Sequence, residues 1–219
     1  MKKRNVVISG FLIILAIIFT VAVQTVDVKP VGANNSNIGF STLNSSIFNN
    51  IGVNMTWYSI TNYLGIISII LALFYVFIAL FQFIKRKNVF KVDKEILTLG
   101  IFYIILAIVY IVFEKFIVNY RPILMDGELD ASYPSSHTIL TIFICGSSML
   151  INSSLFQNKN IAKLINIFAL IVMIVTVVGR LLSGVHWFTD ILGGTIIASA
   201  LLMSYYTVLD YIKTKKVDA

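Results

Sequence analysis

The chain is predicted to be an all-α, polytopic membrane protein: six transmembrane helices with the catalytic core in a helical bundle. Three observations predict it. Of the 219 residues, 58% are hydrophobic and only 12% charged, with a mean hydropathy of +0.90, outside the composition of ordinary soluble domains. The apolar residues gather in six runs at about 6–24, 60–84, 96–118, 138–156, 163–184 and 190–212, each near the ~20 residues that a ~30 Å hydrocarbon core demands. Basic residues flank those runs instead of interrupting them. Lipid offers no partner for backbone N–H and C=O groups, so the spans must be helical. A single membrane domain over 1–219 is expected.

The first run follows Lys2, Lys3 and Arg4. That pattern also suits a secretory signal, but the run is longer than a signal core and no small-x-small cleavage site follows. Residues 25–59 form a polar segment rich in Asn, Ser and Gly, expected as an extracytoplasmic loop. It reads either as a connector or as a wall beside a lipid entrance. Trp57 and Tyr58 at its end suit a membrane interface, and the Asn44-Ser45-Ser46 and Asn54-Met55-Thr56 sequons are unremarkable in so Asn-rich a stretch. With the N-terminus inside, that side holds Lys2, Lys3, Arg4, Lys85, Arg86, Lys87, Lys91, Lys94, Lys159, Lys163, Lys213, Lys215 and Lys216, thirteen of the seventeen Lys and Arg residues. Both termini are therefore expected in the cytoplasm, with the site on the extracytoplasmic face of the plasma membrane. This placement accounts for the net charge of +7 without a nucleic acid partner. Cys145 is the sole cysteine and lies within an apolar run, which suits a small core residue.

Three clusters carry chemistry, all at outer ends of spans. The first is Tyr120-Arg121-Pro122, where Pro122 is expected to mark the end of helical structure. The Arg121 guanidinium matches phosphate oxygens, although an interfacial arginine also snorkels for packing alone. The second is Tyr133-Pro134-Ser135-Ser136-His137-Thr138 before the fourth span. It reads as a helix start with hydroxyl caps, and a helix N-terminus binds anions. Capping explains the serines but not a histidine at the membrane edge. The third runs from Arg180 through His186 to Asp190. A helix beginning there puts His186 and Asp190, four residues apart, on one face, so the carboxylate can hold one imidazole nitrogen and free the other for attack. His137 and His186 are the only histidines, and ionisable groups at membrane depth are usually functional. Two arginines crowd the same end, favouring an anion over a metal cation, so no metal and no cofactor are expected.

Together these clusters resemble the type 2 phosphatidic acid phosphatase (PAP2) family, related to the vanadium haloperoxidases and glucose-6-phosphatase. The resemblance covers residues 114–190 and rests on Arg121-Pro122, on Pro134-Ser135-Ser136-His137, and on Gly179-Arg180 with His186 and Asp190 at full spacing. It implies that His186 is a nucleophile forming a phosphohistidine, Asp190 orients it and His137 is the acid for the leaving group. Arg121, Ser135, Ser136 and Arg180 would bind phosphate. The chain departs from the pattern in three places. Glu114 stands where the family has lysine, leaving Lys115 as a shifted substitute; Ser136 replaces a glycine, and Gly179 a serine.

The implied activity is metal-independent hydrolysis of a membrane lipid phosphate or pyrophosphate within the bilayer. Undecaprenyl pyrophosphate is the favoured substrate, ahead of phosphatidylglycerophosphate and phosphatidic acid. A lipid phosphotransferase would use the same groups. An anion or lipid transporter would call for broken helices or repeated halves, and neither is visible. Asp126, Glu128 and Asp130 read as a solvated loop, with headgroup selection or a cation at the entrance as the functional alternative. The number of subunits is left open.

Overall fold

A computed structural model describes residues 3–217; Lys2, counted above among the flanking charges, lies outside the described residues. Among the described residues six helices are long and apolar enough to cross a membrane: α1 (Lys3–Thr25), α3 (Met55–Arg86), α4 (Lys94–Lys115), α5 (Ser136–Leu155), α6 (Lys159–Leu182) and α7 (Phe188–Val217). They match the six apolar runs. The protein is a multi-pass helical membrane protein.

The six helices share the lipid surface unequally. α5 is by far the most buried, surrounded by α3, α6 and α7. This explains why its sequence tolerates Thr138, Thr141, Ser147, Ser148 and Asn152, all buried. Their polar atoms find partners inside the bundle: Ser147 and Ser148 bond backward along the helix, and the Asn152 carbonyl accepts the Tyr75 hydroxyl at 2.5 Å. Around it Leu99, Phe102, Phe143 and Tyr205 form the apolar core, with the Phe102 and Phe143 rings stacked at 6.2 Å. α1 runs antiparallel to α7 and is tied to it along its length, by Asn5 to Asp210 and by Ser9 to Thr207.

Residues 25–59 are more ordered than a connecting loop. Lys29–Pro30 (β1) pairs antiparallel with Asn37–Ile38 (β2), and Ser41–Ile51 forms a further helix, α2. The Asn/Ser composition hides α2 because these residues favour turns over helix interiors. Its position is fixed by tertiary bonds. The Asn44 amide, fully buried, donates to Thr189 Oγ1 at 2.9 Å and accepts the Thr189 N–H at 3.2 Å, at the start of α7. Asn54 then caps α3 by accepting the N–H groups of Thr56 and Trp57.

Helix α4 ends at Lys115, well before Pro122. The chain continues as an extended strap in which Asn119–Arg121 pair with Asp130–Ser132, through Arg121 N–H to Asp130 O at 3.0 Å and Ser132 N–H to Asn119 O at 2.9 Å. Pairing across the strap satisfies the backbone without a helix, so Pro122 is not the terminator.

Candidate active site

The α6–α7 connection, the strap and the start of α5 meet at one end of the bundle. His186 is 4% exposed and sits in the α6–α7 connection. Its Nδ1 lies 3.1 Å from the Ser132 carbonyl and 3.6 Å from Asp190 Oδ2. A carbonyl only accepts, so Nδ1 carries the proton and Nε2 keeps its lone pair. That lone pair lies 3.5 Å from Arg121 Nη1, which also donates to the Val185 carbonyl at 3.3 Å. Asp190 is wholly buried, and its Oδ2 accepts the Trp187 N–H at 2.9 Å. Asp190 thus faces the ring at ion-pair distance and not at the expected hydrogen-bond distance, because α7 begins only at Phe188 and His186 lies ahead of it, and the acceptor in contact with Nδ1 is the Ser132 carbonyl.

Burial, with Arg121 and Arg180 nearby, pushes the His186 imidazole well below its ordinary value near 6.5. Below the ordinary value the unfolded chain binds a proton at this residue that the folded chain does not, so His186 subtracts from stability as pH falls. In the folded protein, ¹⁵N-histidine spectra in detergent are expected to show the neutral Nδ1–H form still at about pH 6. A protonated ring at that pH would refute this assignment.

Arg180, 1% exposed, is held by Asn62 Oδ1 at 2.7 Å and lies over the Tyr58 ring at 5.1 Å. Its Nε and Nη1, like Arg121 Nε, are buried without a hydrogen-bond acceptor. Buried guanidinium donors lacking acceptors make a strong anion site. Tyr58, at the start of α3, thereby forms one side of the Arg180 seat. Gly179 is explained as well. A Cβ there would meet Thr61 Cγ2 at 2.6 Å and Trp57 at 2.9 Å, so a side chain at this position would push α3 off α6.

His137, in the first turn of α5, lies within the field of Arg180, His186 and Arg121 and packs on the backbone of α3 at Gly65. Ser135 occupies the N-cap position but makes no capping bond; its Oγ accepts from Thr138 at 3.0 Å. The first turn of α5 is therefore left without a side-chain acceptor. This is a correction on two counts: the serine does not cap, and Ser135 is fully buried and away from the cavity, whereas Ser136 lines it.

That cavity, of about 710 Å³, begins at Arg121, Ser136, His137 and His186 and continues between α3, α4 and α5 past Ile69, Leu73, Val76 and Ile144. Glu114 is in its wall, while Lys115 is exposed and outside the lining. Phe113 and Glu114 share that wall, and a further ~100° of turn along α4 carries Lys115 away from it. The shifted-lysine expectation is thereby corrected. Asp126 and Glu128 lie exposed on the turn of the strap, and Asp130 approaches Arg121 Nε at 3.6 Å. Asn62, Gly65, Asn119 and Ser132 had no local signal, because each earns its place through a contact distant in sequence.

Fold and site together describe a helical membrane protein in which two arginines with unpartnered nitrogens stand beside the histidines at one end of a largely apolar cavity. Residues 112–213 match the model of the PAP2 superfamily, a stretch that runs from the end of α4 through most of α7. No curated protein matches it. Among solved structures it resembles a transmembrane PAP2-type phosphatidylglycerolphosphate phosphatase from Bacillus subtilis. The TM-score is 0.64 and the identity 18%, over 93% of this chain and 96% of that one. At that identity the likeness is one of fold.

Proposed function

We propose that the protein hydrolyses a lipid phosphate or pyrophosphate on the extracytoplasmic face through a phosphohistidine at His186. The observation that carries this reading is the cavity joining His186 to the lipid-facing surface. Ile66, Ile69, Leu73 and Val76 on its α3 wall are also exposed on the bilayer side. From Gly65 to Val76 the wall rises roughly 16 Å, about half the hydrocarbon thickness. A tail can thus stay in lipid while its phosphate meets the arginines.

In this reading His186 Nε2 attacks phosphorus, the bond to the leaving oxygen breaks, and His137 donates a proton to that oxygen. Arg121, Arg180, the Ser136 hydroxyl and the N-terminal amides of α5 stabilise charge on the equatorial oxygens. Water then attacks the phosphorus and gives a proton to His137, and the P–N bond to His186 breaks to release phosphate. Asp190 and the Ser132 carbonyl hold the ring and steady its positive charge. The chemistry asks nothing of a metal. The distribution of Lys and Arg supports cytoplasmic termini and an outward-facing site.

Undecaprenyl pyrophosphate is the favoured substrate, because an outward site meets it where wall synthesis releases it. Phosphatidylglycerophosphate is the second reading, favoured by the Bacillus subtilis structure of like fold. Phosphate release from each lipid and from phosphatidic acid, by the detergent-purified protein with chelator present, ranks the substrates. No release from any of them would overturn the reading, and transfer to an added acceptor in preference to water would make the protein a phosphotransferase.

Gly65 gives a separate prediction. A Cβ there would stand 2.6 Å from His137 Cδ2, so Gly65→Ala must displace the ring. Turnover is expected to fall on the order of 10²-fold, the usual effect of misplacing a reacting group by about an ångström. Unchanged turnover in a folded Gly65→Ala protein would argue against His137 as the acid.

A further inference from the structure

Beside His186 two buried polar atoms lack a partner. Asn119 Nδ2 donates to nothing and Asp190 Oδ1 accepts nothing, although the residues are 2% and 0% exposed. The two residues meet through Ser132, whose N–H and hydroxyl donate to the Asn119 carbonyl while its own carbonyl lies against the same His186 Nδ1 that Asp190 Oδ2 faces, and the Asn119 side chain is within electrostatic reach of the Asp190 carboxylate. Every other polar atom of the asparagine side chain and carbonyl is committed. Oδ1 accepts the Gly39 N–H at 3.1 Å, and the backbone carbonyl accepts the Ser132 N–H at 2.9 Å and hydroxyl at 3.2 Å. The amide cannot flip, because Nδ2 would then confront the Gly39 N–H, donor against donor. Gly39 is itself fixed, with its position allowing no Cβ against the Val23 carbonyl and its own carbonyl bound by Asn44 at 2.8 Å.

We propose that Asn119 is a positioning residue, whose Nδ2 donates to Asp190 Oδ1 as His186 acquires positive charge. The proposal rests on the His186–Asp190 reading above. When the ring gains charge, Asp190 must stay ionised in a fully buried place and close the 3.6 Å gap to Nδ1. One oxygen is already bound by the Trp187 N–H, and the other needs a donor of its own. Asn119 is the unspent donor at that point, and Gly39 sets its direction. In this way the 25–59 segment acts on the chemistry without touching substrate.

Asn119→Asp retains the shape and the acceptor for Gly39 but replaces the donor with an oxygen facing Asp190. It is expected to lower kcat by on the order of tenfold to a hundredfold, the effect of losing one charge-assisted hydrogen bond. The loss should equal or exceed that of Asn119→Ala, with KM and competitive inhibition by inorganic phosphate unchanged. In single-turnover assays on the Asp190→Asn background, Asn119→Asp should cost nothing further. A merely structural anchor predicts the reverse order, because Asn119→Asp keeps the anchor. Wild-type kcat in Asn119→Asp beside an inactive His186→Ala overturns the positioning role alone, as does an equal loss on the Asp190→Asn background. Turnover persisting in His186→Ala overturns the underlying reading and this role with it. If Asn119→Ala fails to assemble, Asn119→Asp, which loses no volume, carries the test.

Discussion

Replacing His186 with alanine is expected to abolish phosphate release, by about 10⁴-fold or more, as removal of a covalent nucleophile does elsewhere. The ring is more than one base among several. Its Nε2 is the lone pair facing Arg121, and its Nδ1–H is held by the Ser132 carbonyl and faced by Asp190. Losing it removes the attacking atom, and no other imidazole takes the place, since His137 is the only other one. His137→Ala should behave differently. It loses the leaving-group proton, for which general acid catalysis supplies about 10²–10⁴-fold. The size of that loss should depend on the leaving group: large for a lipid alcohol, small for an activated aryl phosphate that departs without a proton. Rates for both substrates in both variants decide the matter. Equal losses for the two leaving groups in His137→Ala would remove it from the acid role, and residual turnover in His186→Ala would require another nucleophile.

The second large effect is expected at Arg180. Substituting lysine keeps a positive charge, yet kcat/KM should fall by on the order of 10³-fold, the scale of an arginine that stabilises transferring phosphate. The reason is geometric. Arg180 spends one nitrogen on Asn62 and lays its plane over Tyr58, leaving Nε and Nη1 in fixed directions and without acceptors. A lysine offers one point charge on a flexible stem and cannot bond Asn62 and two phosphate oxygens from that site. Inhibition by inorganic phosphate should weaken together with turnover. Lysine activity close to wild type would mean that charge alone matters and that the Asn62–Tyr58 seat is incidental.

The spans were legible because a bilayer imposes one length and one composition on every helix that crosses it. The exception in composition, the Ser- and Thr-rich α5, is the helix that meets the least lipid. The charged site residues were legible for a related reason, since Arg121, His137, Arg180, His186 and Asp190 are expensive at membrane depth and stand out against an apolar background. What escaped were contacts that no local pattern encodes. Ser135 and Ser136 are adjacent and chemically identical, and only the rotation of α5 separates the one that lines the cavity from the one buried against Thr138. The turn of α4 likewise separates Glu114, in the cavity wall, from Lys115, outside it. Helix α2 carries a short apolar stripe, Leu43, Ile47, Phe48 and Ile51, but its Asn and Ser residues masked it, and Asn44 is held through Thr189, far along the chain. Asn54, by contrast, left a readable trace as the cap of α3.

The residues proposed for bond making and breaking all lie between Arg121 and Asp190, within the stretch matched by the superfamily model. Tyr58, Asn62, Gly65 and the apolar face of α3 lie outside it, as does Asn44. The polypeptide is thus divided into a reaction module and an earlier module that shapes access and alignment. A lineage could exchange the earlier module and acquire a new lipid preference while its phosphoryl chemistry stayed the same. A weak match over the first hundred residues is the expected mark of such a history.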